Sequence, residues 1–183
     1  MDGYTIADFA ISGKPLKAWT SDPGPCELSY YLNTGTIIFS RIKWPGGTFG
    51  NVIMMVQSAT GTTVSQVAVY DLAGNRLGVS SDFATSINTS SPITINATVP
   101  PLTNTVLSAQ DIYVCYLYTG STALRYLTDL AVNGVTGRST ILLSTSPTAY
   151  RAGKFNTGVS AFPATVNPAT ASTCTEIPWF AIT

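Results

Sequence analysis

One stretch of the chain decides its fold class: Val67-Ala-Val-Tyr-Asp-Leu-Ala-Gly-Asn-Arg-Leu-Gly-Val-Ser80. Apolar residues lead into Ala73-Gly74-Asn75 and out of it again, and glycine and asparagine tolerate the positive φ of a tight turn. The pattern predicts a β-hairpin with one strand over residues 64–72 and a return strand over residues 76–80.

A second apolar stretch, Asp111-Ile-Tyr-Val-Cys-Tyr-Leu-Tyr-Thr119, follows further along the chain. It is among the most apolar segments, so it predicts a strand in the centre of a sheet. Side chains alternate between the two faces of a strand. Tyr113 and Cys115 should therefore share one face, and Tyr116 and Tyr118 the other.

Short runs of β-branched and aromatic residues make up most of the remaining chain. They predict strands over residues 4–11, 28–32, 36–44, 51–59, 93–99 and 177–182, with Pro178 suited to an edge position. Residues 93–99 alternate Ile, Ala and Val with Thr and Asn, which predicts one packed and one solvated face. Many short strands with frequent turns predict an all-β fold, an antiparallel, jelly-roll-like β-sandwich.

Three segments fit the strand pattern less well. Residues 122–130 have Leu124, Leu127 and Leu130 at helical spacing, which leaves a short helix and irregular structure as equal alternatives. Residues 140–144 predict a short strand or connector, and residues 146–175, rich in Pro, Thr, Ala and Gly, predict a long ordered loop. The length suits one well-packed core, so we predict a single domain over residues 1–183.

The composition is unusually poor in charge. Charged residues make up 10% of the chain, against about 25% in an average soluble domain, and the net charge is zero. Without a basic surplus, we expect no nucleic-acid partner. The apolar runs are too short for a spanning helix and the first residues lack a signal-peptide core, so we expect no membrane insertion. Subunit interfaces are depleted of charge, which favours a homo-oligomer over a monomer with a Ser/Thr surface.

Familiar catalytic motifs are absent from the sequence. The chain has no histidine, which removes Ser-His and Cys-His nucleophile systems and the common histidine metal sites. The glycine cluster Trp44-Pro-Gly-Gly-Thr-Phe-Gly50 is not followed by the Lys-Ser/Thr of a phosphate-binding loop. It predicts a hairpin loop instead.

Paired carboxylates are the one enzymatic alternative, since a glycosidase needs only two acids at the right separation. The candidates are Asp71 with Asp82, and Asp111 with Asp129. Aspartates that begin turns usually bind their own backbone, so we favour a structural role. The segment from Asp71 to Asn75 likewise predicts a turn, because it lacks the acidic density of a calcium loop. We therefore predict no catalytic residue, no cofactor and no metal.

The cysteines fit no zinc pattern. Cys115 lies inside an apolar strand and predicts a buried free thiol. Cys26 and Cys174 lie in loop-like sequence near the two ends of the chain. Either these two cysteines form a disulfide or they remain unpaired with each other, and the disulfide is the less favoured alternative.

Aromatic residues near loops are the candidate binding residues. Sugar sites combine a flat aromatic face with Arg or Asn hydrogen bonds, and they lie on loops of a rigid scaffold. This pattern suggests a glycan contact by Trp44, Tyr150, Arg151 and Asn156. The alternative, which we favour, makes Trp44 and Phe155 core side chains and Arg151 a solvated charge.

The order of the motifs resembles a known family. V-A-V-Y-D-L-A-G-N-R-L is followed by D-I-Y-V-C-Y-L-Y-T-G, Y-R-A-G, F-P-A-T-V-N-P-A-T and the ending I-P-W-F-A-I. This order, over residues 64–183 and more loosely before them, is similar to the β-sandwich region of minor tail and tail-fibre-type proteins from double-stranded DNA phages that infect actinobacteria. The resemblance implies a module displayed on the virion, often trimeric and similar to carbohydrate-binding sandwiches.

From the resemblance and the composition we expect a virion structural protein that assembles in the host cytoplasm and is not an enzyme. Its expected partners are copies of itself, as a trimer in the family, other virion proteins and a host-surface glycan. The sequence carries no collagen-like or coiled-coil shaft, so a capsid-surface position stays open beside a tail position. The alternatives are a carbohydrate-binding module without catalysis and, less favoured, a glycan-cleaving enzyme.

Overall fold

The computed structural model describes residues 16–20, 26–48, 51–57, 61–87, 94–98, 106–121, 124–129, 152–155, 157–173 and 177–182. The strand predicted over residues 4–11 and the segment 140–144 lie outside these ranges. The strands are, in chain order, β1 (Ala18–Trp19), β2 (Cys26–Leu32), β3 (Thr36–Trp44), β4 (Gly47–Thr48), β5 (Val52–Gln57), β6 (Thr62–Asp71), β7 (Arg76–Val79), β8 (Thr94–Thr98), β9 (Val106–Leu107), β10 (Gln110–Gly120), β11 (Leu124–Asp129), β12 (Ala152–Lys154), β13 (Ser172–Thr173), β14 (Ile177–Pro178) and β15 (Ala181–Ile182).

The strands form two antiparallel sheets that pack face to face. The six-stranded sheet has the order β13-β12-β3-β10-β6-β7. The seven-stranded sheet follows the path β1-β15-β5-β11-β14, with β2 paired to β11 and β8 paired to β5. β4 and β9 form a separate pair. The prediction of an all-β antiparallel sandwich is confirmed.

The β6–β7 hairpin forms where the sequence predicts it. Ala68 pairs with Val79, and the Gly74 N–H donates to the carbonyl oxygen of Asp71 at 3.0 Å. Gly74 has a φ of 89°. A Cβ at this position would also collide with the carbonyl oxygen of Val166, so the turn requires glycine for space as well as for conformation.

β10 is the central strand of the six-stranded sheet, between β3 and β6. Tyr116 and Tyr118 belong to the core between the two sheets, together with Phe180, which lies between β14 and β15. Tyr113 and Cys115 belong to a second cluster on the other face of the strand. The predicted central position and the predicted alternation are both confirmed, because strand geometry sets which residues share a face.

The outer face of the six-stranded sheet is covered by the C-terminal part of the chain. We name Phe155 and residues 157–171 the outer layer. Phe155, Phe162 and Val166 of this layer pack into the second apolar cluster. The ring of Phe155 stacks on that of Phe39 with 4.1 Å between centroids. The six-stranded sheet is therefore buried on both faces.

The predicted long loop over residues 146–175 differs from the structure in two places. β12 and β13 lie within it and extend the six-stranded sheet beyond β3. Their pairing satisfies backbone groups that a loop buried against a sheet would otherwise leave without partners. The segment between them is irregular apart from a 3-10 turn at Pro168–Thr170, where Asn167 Oδ1 accepts from the Ala169 N–H at 3.0 Å.

Residues 124–129 form strand β11, so both alternatives for this segment, a short helix and irregular structure, are wrong. β11 pairs with β2 along its length and also meets β14 and β5. Three leucines at helical spacing are a weak signal over so short a segment. Pairing with strands that are distant in sequence outweighed this local preference.

Two predicted connections also differ from the structure. Residues 44–50 do not make a hairpin, because β3 belongs to the six-stranded sheet and β5 to the seven-stranded one. Gly46 and Gly47 have φ values of 96° and 104°, and the chain pairs with β9 before it crosses between the sheets. The predicted final strand is divided into β14 and β15, with Pro178 at the end of the sheet path.

Candidate functional site

Trp44 is a core side chain and offers no face to a sugar. It is 0% exposed and belongs to the cluster between the sheets. Lys17 Nζ lies 6.0 Å from the centroid of its ring and donates to the carbonyl oxygen of Thr48 at 2.9 Å. The glycan contact predicted at Trp44 is wrong, because burial of so large an apolar ring stabilises the fold.

The structure does not test the other predicted glycan residues. Tyr150, Arg151 and Asn156 lie outside the described residues, so their contact remains a prediction. Phe155, their neighbour, is buried in the second apolar cluster. The core alternative is therefore confirmed for both Trp44 and Phe155.

Asp71 and Asp82 bind the backbone. Asp71 Oδ1 accepts from the Asn75 N–H at 2.8 Å, and its Oδ2 accepts from Asn75 Nδ2 at 2.9 Å. Asp82 Oδ1 accepts from the N–H groups of Ala84 and Ser65, both at 2.9 Å, and so caps the short helix α1 (Ala84–Ile87). The structural role predicted for both acids is confirmed, as is the turn at Asp71.

Asp111 is held by an arginine on the neighbouring strand. Its Oδ2 accepts from Arg41 Nε at 3.1 Å and from Arg41 Nη2 at 2.6 Å. Lys43 lies directly opposite Asp111 in the pairing of β3 with β10. The carboxylate therefore ties two strands together beside two cations. The side chain of Asp129, its predicted catalytic partner, lies outside the described residues.

Titratable groups in the core are kept in their neutral forms. Burial raises the pKa of the Cys115 thiol, which is a free cysteine as predicted. Burial also raises the pKa of Tyr116, whose hydroxyl lies 2.9 Å from Ser65 Oγ. The pKa of Tyr70 is raised by burial too, and its O–H donates to the carbonyl oxygen of Pro163 at 2.7 Å. A thiol without its thiolate is a poor nucleophile, so this cluster has a packing role.

The described residues contain neither a cluster of metal ligands nor a membrane-spanning helix. Among the described side chains, no three of the ligand types His, Cys, Asp and Glu gather as a metal site would require. No helix in this part of the chain has the length and apolar character to cross a membrane. The side chain of Cys26 and the whole of Cys174 lie outside the described residues, so their pairing remains a prediction.

Arg76 has a role that the sequence did not reveal. Its Nη1 donates to the carbonyl oxygen of Phe162 at 2.7 Å, and its backbone N–H donates to that of Ala164 at 3.0 Å. Together with the bond from Tyr70 to Pro163, these contacts hold three consecutive carbonyls of the outer layer. The sequence signal for this contact was Phe162-Pro163, because an aromatic side chain in a polar segment usually packs against another part of the protein.

No family model matches the chain, and no curated protein is significantly similar to it in sequence. A function is therefore inferred from the fold and from the contacts of the described side chains. It is a sandwich with one sheet closed on both faces, in which the described acids bind turns, a helix start and an arginine.

Proposed function

We propose that this chain is a non-enzymatic structural protein of a phage particle, which lies on the tail or capsid surface and assembles with copies of itself. The observation that carries the proposal is the use of the acids whose side chains the structure describes. Asp71, Asp82 and Asp111 each hold a structural contact. Acid–base catalysis needs a carboxyl group that can exchange a proton with a substrate, and these three are engaged elsewhere.

Composition and fold also support a role in packing. The exposed described residues are mostly Ser, Thr, Asn, Ala and Gly, in a chain with 10% charged residues. Surfaces depleted of charge are typical of subunit interfaces. Because both faces of the six-stranded sheet are covered, the contacts that this sheet makes with partners fall to its edges and to loops. The virion location rests on the resemblance to phage tail proteins, and the jelly-roll designation rests on the many short strands and turns of the sequence.

Light scattering and particle labelling test the two parts of this proposal. Light scattering of the purified chain should give one species whose mass is a multiple of 19.3 kDa. A monomer would contradict the assembly part. A gold-labelled antibody against the chain should decorate purified phage particles at the tail or capsid surface. Unlabelled particles from a lysate that contains the protein would contradict the virion part.

Host attachment is the finer part of the proposal. It depends on Tyr150, Arg151 and Asn156, which lie on either side of β12 in the sequence, and a glycan array tests it. Arg151→Ala and Asn156→Ala should each lose the array signal, whereas Lys154→Ala, the matched control in β12, should keep it. If the wild-type chain bound no glycan on the array, only the scaffolding role would remain. Array binding without particle labelling would favour the carbohydrate-binding module.

A further inference from the structure

We infer that β8 is an assembly edge, where two copies of the chain join by antiparallel pairing of their Thr94–Thr98 strands. The inference rests on the self-assembly in the proposed function and names the surface that performs it. The occupant is a second copy of this chain. The pairing would join the two seven-stranded sheets into one continuous sheet.

β8 presents a regular edge. In the described part of the chain its partner is β5, on one side only. The pairing runs from Ile53 opposite Thr98 to Gln57 opposite Thr94 without a register shift. Ile95 lies opposite Val56, which belongs to the core. A strand paired on one side has N–H and C=O groups along the other, and these form a template for a further strand.

The sequence of β8 lacks the features that usually protect an edge. Exposed edges are normally blunted by charged side chains, prolines or bulges. β8 consists of Thr-Ile-Asn-Ala-Thr and has none of these. Pro92 and Pro100 lie just outside the strand. They confine any pairing to this short segment, because proline cannot donate a ladder hydrogen bond.

The other edges within the described ranges are closed or interrupted. Asn75 bridges to Thr165, and the Arg76 N–H bonds to Ala164, so the outer layer covers the start of β7. β2 contains Glu27 and has a register shift against β11. β1, β13 and β14 are two residues long. β8 therefore combines length, regularity and lack of charge as the other edges in these ranges do not.

Antiparallel pairing about a two-fold axis at Asn96 matches the strand with itself. Asn96 lies opposite the partner's Asn96, Thr94 opposite the partner's Thr98, and Ile95 opposite the partner's Ala97. No like charges meet, and Thr–Thr pairs are favourable across strands. A two-fold contact uses the same edge of β8 in both copies, so pairing at this surface stops at two copies.

Charge substitution at the axis tests the pairing. Asn96→Lys places two ammonium groups opposite each other, and we expect self-association measured by analytical ultracentrifugation to weaken about tenfold or more. Asn96→Asp should have the same effect. An equimolar mixture of the two variants should recover the association, because opposite charges then face each other. Asn33→Lys, at an exposed position in the turn before β3, is the matched control and should associate as the wild type does.

A cross-link provides a second measurement. In a Cys26→Ser, Cys174→Ser background, Asn96→Cys should form a disulfide-linked dimer under mild oxidation. Facing residues of antiparallel strands have Cα atoms about 4.5–5.5 Å apart, which is within the range for a disulfide. Circular dichroism and thermal melting of each variant show whether its fold is kept. Recovery in the mixture shows this independently, because misfolded variants would not recover association.

The outcomes distinguish this inference from the proposed function. A monomeric wild-type protein would overturn both. An oligomer that Asn96→Lys and Asn96→Asp leave unchanged would overturn the β8 pairing alone. A clean trimer, which the phage resemblance implies, would also overturn it alone, since a two-fold strand pairing gives assemblies of even number. Loss with each variant, recovery in the mixture and the cross-link together support it.

Discussion

The two faces of the six-stranded sheet are both buried, but by different kinds of structure. The inner face packs on a second sheet, which contributes Met54 and Phe180 from regular strands or their connections. The outer face is covered by the largely irregular outer layer, anchored by Phe155 and Phe162. Tyr70 and other side chains of the sheet bond to its carbonyls. An irregular segment can therefore close a sheet, but we expect it to open more easily than the sandwich itself.

The largest expected effect is on the inner face. Phe180→Ala removes a ring that is 1% exposed. It should lower the free energy of unfolding in urea by about 3–5 kcal/mol, because neighbouring strands cannot collapse into the cavity. The whole transition should shift as one. A loss no greater than that of the matched outer-layer variant Phe162→Ala would show that the two faces contribute equally.

Phe162→Ala sharpens the same comparison on the outer face. We expect a smaller loss, about 2–3 kcal/mol, since the irregular layer can settle into the space. In a Cys26→Ser, Cys174→Ser background, Cys115 reports on opening of this layer. Its reaction with a thiol reagent under native conditions should be faster in Phe162→Ala than in Phe180→Ala. A faster reaction in Phe180→Ala would mean that Cys115 is exposed only when the whole protein unfolds, because that variant is expected to be the less stable of the two.

Alkaline pH tests one buried group on each face. Burial raises the pKa of Cys115 on the outer face and of Tyr116 on the inner face. The unfolded chain releases these protons from about pH 8.5 and pH 10, while the folded chain retains them. The free energy of unfolding should therefore fall as the pH rises above each of these values, by on the order of 1 kcal/mol per pH unit for each group. In urea titrations from neutral to alkaline pH, Cys115→Ala should remove the first part of the fall. Tyr116→Phe should reduce the second part, to which Tyr70 also contributes. A free energy of unfolding independent of pH would contradict this.

The smallest expected effects come from single hydroxyl groups, again one for each face. Tyr116→Phe leaves the buried hydroxyl of Ser65 without its partner and should cost about 1–3 kcal/mol. Tyr70→Phe removes a bond to the half-exposed Pro163, where water can replace it, and should cost about 0.5–1 kcal/mol. Thermal and urea denaturation of the two variants measures the difference. The reverse order would mean that the outer layer is held more tightly than the core.

Where the strand pattern was strong, sequence was a good guide. The turn at Gly74 and the two faces of β10 follow from residue order, because turn chemistry and side-chain alternation act over a few residues. The capping roles of Asp71 and Asp82 are local for the same reason. The candidate site was predicted less well. Trp44 lies beside a turn in sequence, where exposure is common, but is enclosed by residues distant along the chain.

By itself, the sequence determined the β class, the position of most strands and the central place of β10, since these depend on neighbours along the chain. Only the tertiary structure decided that β11 is a strand and that residues 157–171 close the outer face. It also decided that the β7 edge is covered at its start, whereas β8 pairs on one side within the described ranges. The reason is physical. A buried backbone group needs a hydrogen-bond partner and an aromatic ring needs apolar contacts, and in these places both come from parts of the chain that are distant in sequence.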